Sequence, residues 1–166
     1  PVHFVAEVLD SLDLQDVTLL GHSYGTLIAL HGALERPKRI RRLALLAPLG
    51  LRRHKGFRQY PSARLITMGL KVPLINTLIF RAIHRTFKAV GFRKPITNDH
   101  LRRTLDAVAT WDFEPYLAQV EALEIPVFGA YCMDDHLIEP EIMKEFLEIC
   151  PNGPRYVFPK GGHNLQ

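Results

Sequence analysis

A serine between two glycines is the feature of this sequence that most directly suggests chemistry. Residues 21–25 read Gly-His-Ser-Tyr-Gly and lie between an apolar run, residues 17–20, and a helix-like stretch, residues 26–34. A strand, a tight turn and a helix in this order are typical of a turn that exposes a serine hydroxyl at the end of a strand. The helix would direct its first N–H groups to the point where negative charge develops during acyl transfer. Ser23 is therefore a candidate nucleophile.

The two glycines of this turn predict tight packing around Ser23. A Cβ atom at Gly21 or at Gly25 is expected to crowd the neighbouring backbone, so both positions should require glycine. The turn is also expected to be strained, because the serine hydroxyl must point out of the sheet.

Candidate partners for the serine follow two later apolar runs. Asp134 and Asp135 come directly after one run, and His163 follows the other after a pair of glycines. If both runs are parallel strands, their carboxyl ends meet at one edge of the sheet, and Ser23, Asp135 and His163 converge there. The chain order of serine, acid and histidine is the one expected for this type of turn. Asp134 remains the alternative acid.

The elements that must position these residues alternate between strand and helix. Apolar runs predict strands at residues 17–20, 40–47, 126–132 and 155–158. The run from Leu43 onwards is nearly all apolar, which is typical of a strand buried on both faces and favours a parallel sheet. Helices are expected at residues 2–12 and from Pro140. The sequence therefore predicts an α/β fold with about four parallel strands.

Residues 49–123 interrupt this alternation with a basic loop and several helical stretches. The expected helices are residues 62–70, 74–90, 99–110 and 116–123. Asn98 is expected to cap the third of them. We therefore predict a core made of residues 1–48 and 124–166, with residues 49–123 as a helical insertion.

Charge is strongly segregated along the chain. Residues 38–103 hold 17 Lys and Arg but a single acid, Asp99, for a net charge of +16, whereas the remaining residues carry −12. Such segregation predicts a positive surface. A solvated surface, an anionic membrane surface and an acidic substrate are the alternative explanations. No nucleic-acid motif accompanies the charge, so nucleic acid is not expected as a partner.

Composition limits the remaining classes of function. A chain of 166 residues with 47% hydrophobic and 23% charged residues is typical of one globular domain. Lys71 and Pro73 break the longest apolar stretch, which disfavours a membrane span. Cys132 and Cys150 are too few for a disulfide framework, and Cys132 is expected to be a core thiol. We expect no metal and no cofactor, and a location in the cytoplasm or at a membrane surface.

These motifs together resemble the α/β-hydrolase fold superfamily. The resemblance rests on residues 21–25, on residues 135–140 (Asp-His-Leu-Ile-Glu-Pro) and on residues 161–163 (Gly-Gly-His). It implies a partial α/β-hydrolase fold whose four strands correspond to the last four of about eight, with residues 49–123 as a helical cap. The earlier strands and the loop that supplies a second oxyanion N–H have no counterpart here. We therefore expect this sequence to be part of a longer hydrolase.

The resemblance also implies a role for each candidate residue. Ser23 would attack a carbonyl carbon and form an acyl-enzyme, and His163 would take and return the proton. Asp135 would orient the histidine. In this family an aliphatic residue typically lies three positions after the acid, and Ile138 occupies that position after Asp135. The backbone N–H of Tyr24 would donate to the oxyanion. The implied activity is that of a serine acyl hydrolase of the esterase, lipase or thioesterase type.

Three hypotheses about function follow. The first is hydrolysis of a small-molecule acyl substrate, with lipid-like substrates favoured by the apolar, basic insertion. The second is a non-catalytic hydrolase-like binding module or an inactive fragment, which keeps the pocket without the chemistry. The third is a peripheral membrane-binding protein that uses the basic residues of 38–103.

Overall fold

The computed structural model describes residues 2–54, 68–70, 72–89, 97–109 and 113–165. The chain divides into two compact units. The first comprises Pro1–Arg52 and Phe113–Gln166, and the second comprises Arg53–Asp112. Most of the predicted helix at residues 62–70 lies outside the described residues.

The first unit is built on a parallel sheet of four strands in the order β1-β2-β3-β4. Its strands are β1 Val17–His22, β2 Ile40–Leu46, β3 Val127–Cys132 and β4 Arg155–Phe158. All three neighbouring pairs are parallel. This arrangement confirms the predicted fold class and places the carboxyl ends of all four strands at one edge.

The helices within the described residues are α1 Val2–Ser11, α2 Gly25–Glu35, α3 Pro73–Ala89, α4 Asn98–Ala109, α5 Phe113–Glu121 and α6 Pro140–Ile149. In the first unit, α2 packs on β1 and β2, α1 packs on α2, and α6 packs on β3. The core is fully buried at Leu30 of α2, Leu45 of β2 and Phe146 of α6. Helices therefore connect and cover the strands, as a parallel sheet requires.

The first strand is less buried than its apolar sequence suggests. Leu20 is 62% exposed, and exposed and half-buried residues alternate from Val17 to Leu20. Among the described strands, β1 is at one edge of the sheet and pairs with β2. Helix α2 covers one face of β1, and the exposed Leu20 side chain lies on the other face.

The second unit has its own small core. Leu70, Phe80 and Leu101 are buried together, and Ile79 and Ile83 pack against them. This cluster joins α3 to α4, because Phe80 belongs to the former and Leu101 to the latter.

The N-terminus of α4 corrects one sequence-based expectation. Asn98 is the first helical residue rather than the cap. Thr97 has the capping role, because its Oγ1 accepts a hydrogen bond from the His100 N–H at 3.2 Å. The Asn98 Oδ1 atom is instead 3.1 Å from His84 Nε2, which links α4 to α3.

Helix α5 marks where the second unit ends. The predicted insertion extends to residue 123, whereas the second unit ends at Asp112 and α5 belongs to the first. The Tyr116 ring stacks on Phe146 of α6 with a centroid separation of 5.8 Å, and Val120 is fully buried. The role of residues 49–123 as a helical cap stays a prediction.

Several basic residues of the positive segment pair with acids in the first unit. Arg39 lies 3.1 Å from a carboxylate oxygen of Asp10, and the Arg52 guanidinium makes two 2.8 Å bonds to the Glu145 carboxylate. The segregation of charge along the chain is therefore partly neutralised by folding. Among the described residues, no helix is both long enough and apolar enough to cross a membrane.

Candidate active site

Ser23 occupies a strained turn between β1 and α2. Its φ angle is +53°, in the left-handed region that non-glycine residues rarely adopt. Such a conformation costs on the order of 1–3 kcal/mol and persists only where the surroundings fix it. The Ser23 N–H donates to the Leu46 carbonyl at 2.9 Å. The Ser23 carbonyl accepts from the Thr26 N–H at 3.0 Å and from the Thr26 hydroxyl at 2.6 Å.

The two glycines of the turn are not equivalent. A Cβ atom at Gly21 would lie 2.5 Å from the Gly25 carbonyl oxygen and 2.8 Å from the Thr26 Cα atom, so this position requires glycine. A Cβ atom at Gly25 would meet no atom within 4 Å among the described contacts. The expectation of crowding is therefore correct for Gly21 and wrong for Gly25. Gly25 is the first residue of α2, where a Cβ atom projects into open space.

The difference between the glycines gives a matched pair of variants. Gly21→Ala is expected to lower the free energy of unfolding by about 1–3 kcal/mol, because backbone atoms of the turn must move. Gly25→Ala should leave it nearly unchanged. Chemical denaturation of both variants measures the difference. Equal destabilisation by the two substitutions would contradict this description of the turn.

Three predicted site residues are brought together at the carboxyl edge of the sheet. The Ser23 Oγ atom is 2.8 Å from His163 Nε2, and His163 Nδ1 is 2.8 Å from Asp135 Oδ2. His163 is 2% exposed and Asp135 is 6% exposed. Because the carboxylate only accepts hydrogen bonds, Nδ1 carries the proton and donates it. His163 Nε2 is then the acceptor that faces the Ser23 hydroxyl.

The orientation of Asp135 is fixed by the start of the loop before α6. Its Oδ1 atom accepts from the N–H groups of Leu137 at 2.8 Å and Ile138 at 3.0 Å. These bonds leave Oδ2 directed at His163. Burial opposes the charge of Asp135, but the hydrogen bonds from His163 and the two N–H groups outweigh it and leave the pKa below its usual value. Asp135 is therefore ionised at neutral pH.

Asp134 binds the backbone of the histidine loop instead of the imidazole. Its two carboxylate oxygens accept from the N–H groups of Gly162 at 2.8 Å and Gly161 at 3.3 Å. The bond from Gly162 is the main cause that lowers the pKa of Asp134. The loop runs close over the end of β3, since a Cβ atom at Gly161 would lie 2.7 Å from Cys132 Sγ. Asp134 thus holds the segment that carries His163.

His22 holds the same loop from the side of β1. Its Nε2 atom donates to the His163 carbonyl at 2.8 Å, and the two imidazole rings are 5.1 Å apart. Burial lowers the pKa of His22 below 6.5, and the nearby His163 lowers it further, although the bond to the carbonyl opposes this shift. Folding therefore favours neutral His22.

The lowered pKa of His22 predicts a pH dependence of stability. The unfolded chain binds a proton at His22 near pH 6.5, whereas the folded chain resists it until a lower pH. Stability should therefore fall as the pH decreases below 6.5 and be unaffected by this group above 6.5. In His22→Gln, which keeps an N–H donor, unfolding free energy should vary less between pH 5 and 6.5 than in the native chain. Denaturation at several pH values tests this, with His3→Gln as the exposed control.

Sequence reasoning missed three supporting interactions. Thr26 lies within a predicted helix, no sequence pattern indicates a partner for His22, and the sequence presents Asp134 only as the alternative acid. Each acts by contacting a backbone group of the turn or of the histidine loop. The adjacent pair Asp134–Asp135 was the one available signal, because two acids at a strand end suggest two separate tasks.

Cys132 is fully buried, as predicted for a core thiol, and burial raises its pKa. Within the described ranges, no group of three or more His, Cys, Asp or Glu side chains is arranged to hold a metal ion.

Residues 2–163 match a family described as alpha/beta hydrolase of unknown function (DUF1057). The match covers nearly the whole chain, so the protein belongs to this α/β-hydrolase family. Membership supports hydrolase activity at the level of the superfamily.

Individual relatives cover several kinds of hydrolase. A haloalkane dehalogenase of Mesorhizobium japonicum is 36% identical over 43% of this chain and 24% of its own length. A 2-hydroxy-6-oxononadienedioate/2-hydroxy-6-oxononatrienedioate hydrolase of Cupriavidus pinatubonensis is 24% identical over 96% of this chain and 60% of its own. An esterase of Exiguobacterium antarcticum has a similar fold, with a TM-score of 0.74 and 17% identity over 99% of this chain and 66% of its own. This chain thus spans less than two thirds of the length of each.

Proposed function

We propose that this protein is a serine acyl hydrolase that acts through Ser23, His163 and Asp135. The observation that carries the proposal is the continuous line of hydrogen bonds from Ser23 Oγ through both nitrogens of His163 to Asp135, each 2.8 Å long. A hydroxyl, an imidazole acceptor and a fixed carboxylate in this order are the parts of an activated nucleophile.

The geometry supports a two-step reaction. Ser23 Oγ attacks the carbonyl carbon of the substrate while His163 Nε2 takes its proton. The backbone N–H of Tyr24, beside Ser23 at the positive end of α2, donates to the oxyanion. His163 then gives the proton to the leaving group, and an acyl-enzyme remains on Ser23. His163 next deprotonates a water that attacks the acyl carbon, and it returns this proton to Ser23 Oγ as the bond between the acyl group and Oγ breaks and the carboxylic acid leaves.

Asp135 supports both steps by its position. Its carboxylate holds the His163 tautomer that accepts at Nε2 and stabilises the imidazolium that forms when the proton arrives. The burial of both side chains strengthens this interaction, because little water competes for the hydrogen bond.

The substrate class of the proposed enzyme is a small-molecule ester or thioester, with lipid-like acyl groups favoured. Dehalogenation, the activity named for one relative, is disfavoured because it requires a carboxylate nucleophile where this chain has Ser23. Hydrolysis of a carbon–carbon bond in an oxo-dienoate acid is the second candidate. It is favoured by the relative of that type, which aligns over 96% of this chain.

Hydrolysis of p-nitrophenyl esters with two to sixteen acyl carbons tests the proposal. We expect turnover with a rapid burst of p-nitrophenolate, because this good leaving group makes acylation of Ser23 faster than hydrolysis of the acyl-enzyme. Loss of a 2-hydroxy-6-oxo-dienoate chromophore without ester turnover would favour the second candidate. A folded chain that processes neither substrate would overturn the proposal and favour a non-catalytic binding module.

A further inference from the structure

One face of α3 exposes apolar and basic side chains in succession. In the first half of the helix, Leu74 is 83% exposed and Leu78 is 63% exposed. In the second half, Arg81, Arg85 and Lys88 are exposed. Successive steps of three or four residues put all five on one side of the helix. We refer to these five residues as the α3 face.

The α3 face is separate from the side of the helix that builds the second unit. Phe80 is 5% exposed in the core cluster, and Ile79 and Ile83 pack against that cluster. Before the start of α3, Met68 is 62% exposed and Val72 is 44% exposed, so further apolar side chains are accessible near this end of the helix. The residues of the α3 face are therefore not needed to complete this core.

The charge of the α3 face has one sign. Helix α3 contains no Asp or Glu over its whole length, Pro73–Ala89. An apolar surface on a partner protein could bind the two leucines but would gain nothing from the three cations beside them. Cations beside exposed leucines instead match the surface of an anionic bilayer, where negatively charged headgroups cover an apolar interior.

We propose that the α3 face docks on an anionic phospholipid surface. Leu74 and Leu78 enter the boundary between headgroups and acyl chains, and the three cations contact lipid phosphate and carboxylate groups. The helix lies in the plane of the membrane. This binding is independent of the proposed hydrolase function and needs no turnover to be measured.

Sedimentation of the full chain with vesicles tests the proposal. We expect binding to vesicles of 30% phosphatidylserine in phosphatidylcholine, little binding to pure phosphatidylcholine, and weaker binding as salt rises. Equal binding to both vesicle types, or none to either, would overturn the proposal.

Matched variants test whether the α3 face is responsible. Arg81→Gln/Arg85→Gln/Lys88→Gln should weaken binding by about 100-fold, since each of the three cations contributes about fivefold near an anionic surface. A control with the same loss of charge elsewhere, K38Q/R41Q/K144Q, should retain most of the binding. Equal loss in both triple variants would show that only net charge matters and would overturn the assignment to α3.

The apolar half of the face has its own pair of variants. Leu74→Ala/Leu78→Ala keeps good helix formers and should weaken vesicle binding at least about tenfold. Leu12→Ala removes a leucine that is 65% exposed in the first unit and serves as the control. If the leucine double variant instead abolishes a dimer seen by sedimentation velocity and leaves vesicle binding unchanged, the face belongs to a second copy of the chain and the proposal fails.

Discussion

Ser23→Ala is expected to lower kcat for ester hydrolysis by about 10⁴- to 10⁶-fold. The substitution removes the one hydroxyl that lies 2.8 Å from His163 Nε2, so no acyl-enzyme can form. The fold should be unaffected, because the turn is held through the backbone of Ser23 and through Thr26 rather than through the serine hydroxyl. Steady-state kinetics with a p-nitrophenyl ester measures the loss.

Ser11→Ala is the control for the serine variant. Ser11 is exposed on α1, where its hydroxyl donates to the Glu7 carbonyl, and its loss should not alter turnover. Circular dichroism should show both variants to be folded. Retention of more than a few per cent of native activity by Ser23→Ala would rule out Ser23 as the nucleophile.

Asp135→Asn is expected to lower kcat by about 10⁴-fold, whereas Asp134→Asn should retain activity within about tenfold. An amide in place of Asp135 can donate to His163 and thereby favour the tautomer with the proton on Nε2. His163 could then no longer accept the Ser23 proton. Asp134 contacts the N–H groups of Gly161 and Gly162, and an asparagine oxygen can still accept one of these bonds.

The two aspartate variants decide between the two acids considered from the sequence. Both substitutions remove one negative charge from adjacent positions, so a general electrostatic effect would lower activity equally. A larger loss in Asp134→Asn than in Asp135→Asn would contradict the proposed role of Asp135. Comparison of kcat and KM adds a second readout, because loss of proton transfer lowers kcat while substrate binding remains.

The sheet could be predicted from the sequence because its signals are local and agree with one another. Apolar runs marked β2 and β3, and the parallel order followed from the helices between them. A parallel sheet then brings residues after different strands to one edge. The proximity of Ser23, Asp135 and His163 could be anticipated for this reason, although they are far apart along the chain.

The supports of the site could not be predicted in the same way. Thr26, His22 and Asp134 each contact a backbone group whose direction depends on a turn conformation, and residue types alone do not specify that direction. The crowding expected at Gly25 was wrong for a similar reason, since the path of a Cβ atom depends on the first turn of α2. The burial of β1 depends on which elements pack on its two faces, and an apolar run alone does not predict them.

Reaction with a fluorophosphonate probe tests most directly whether Ser23 is an activated nucleophile. The probe forms a stable covalent bond to activated serines, and intact-mass spectrometry counts the adducts. We predict one adduct on the native chain and none on Ser23→Ala, with both proteins folded by circular dichroism. A folded native chain that forms no adduct, or a Ser23→Ala variant that is labelled equally, would contradict the proposed role of Ser23.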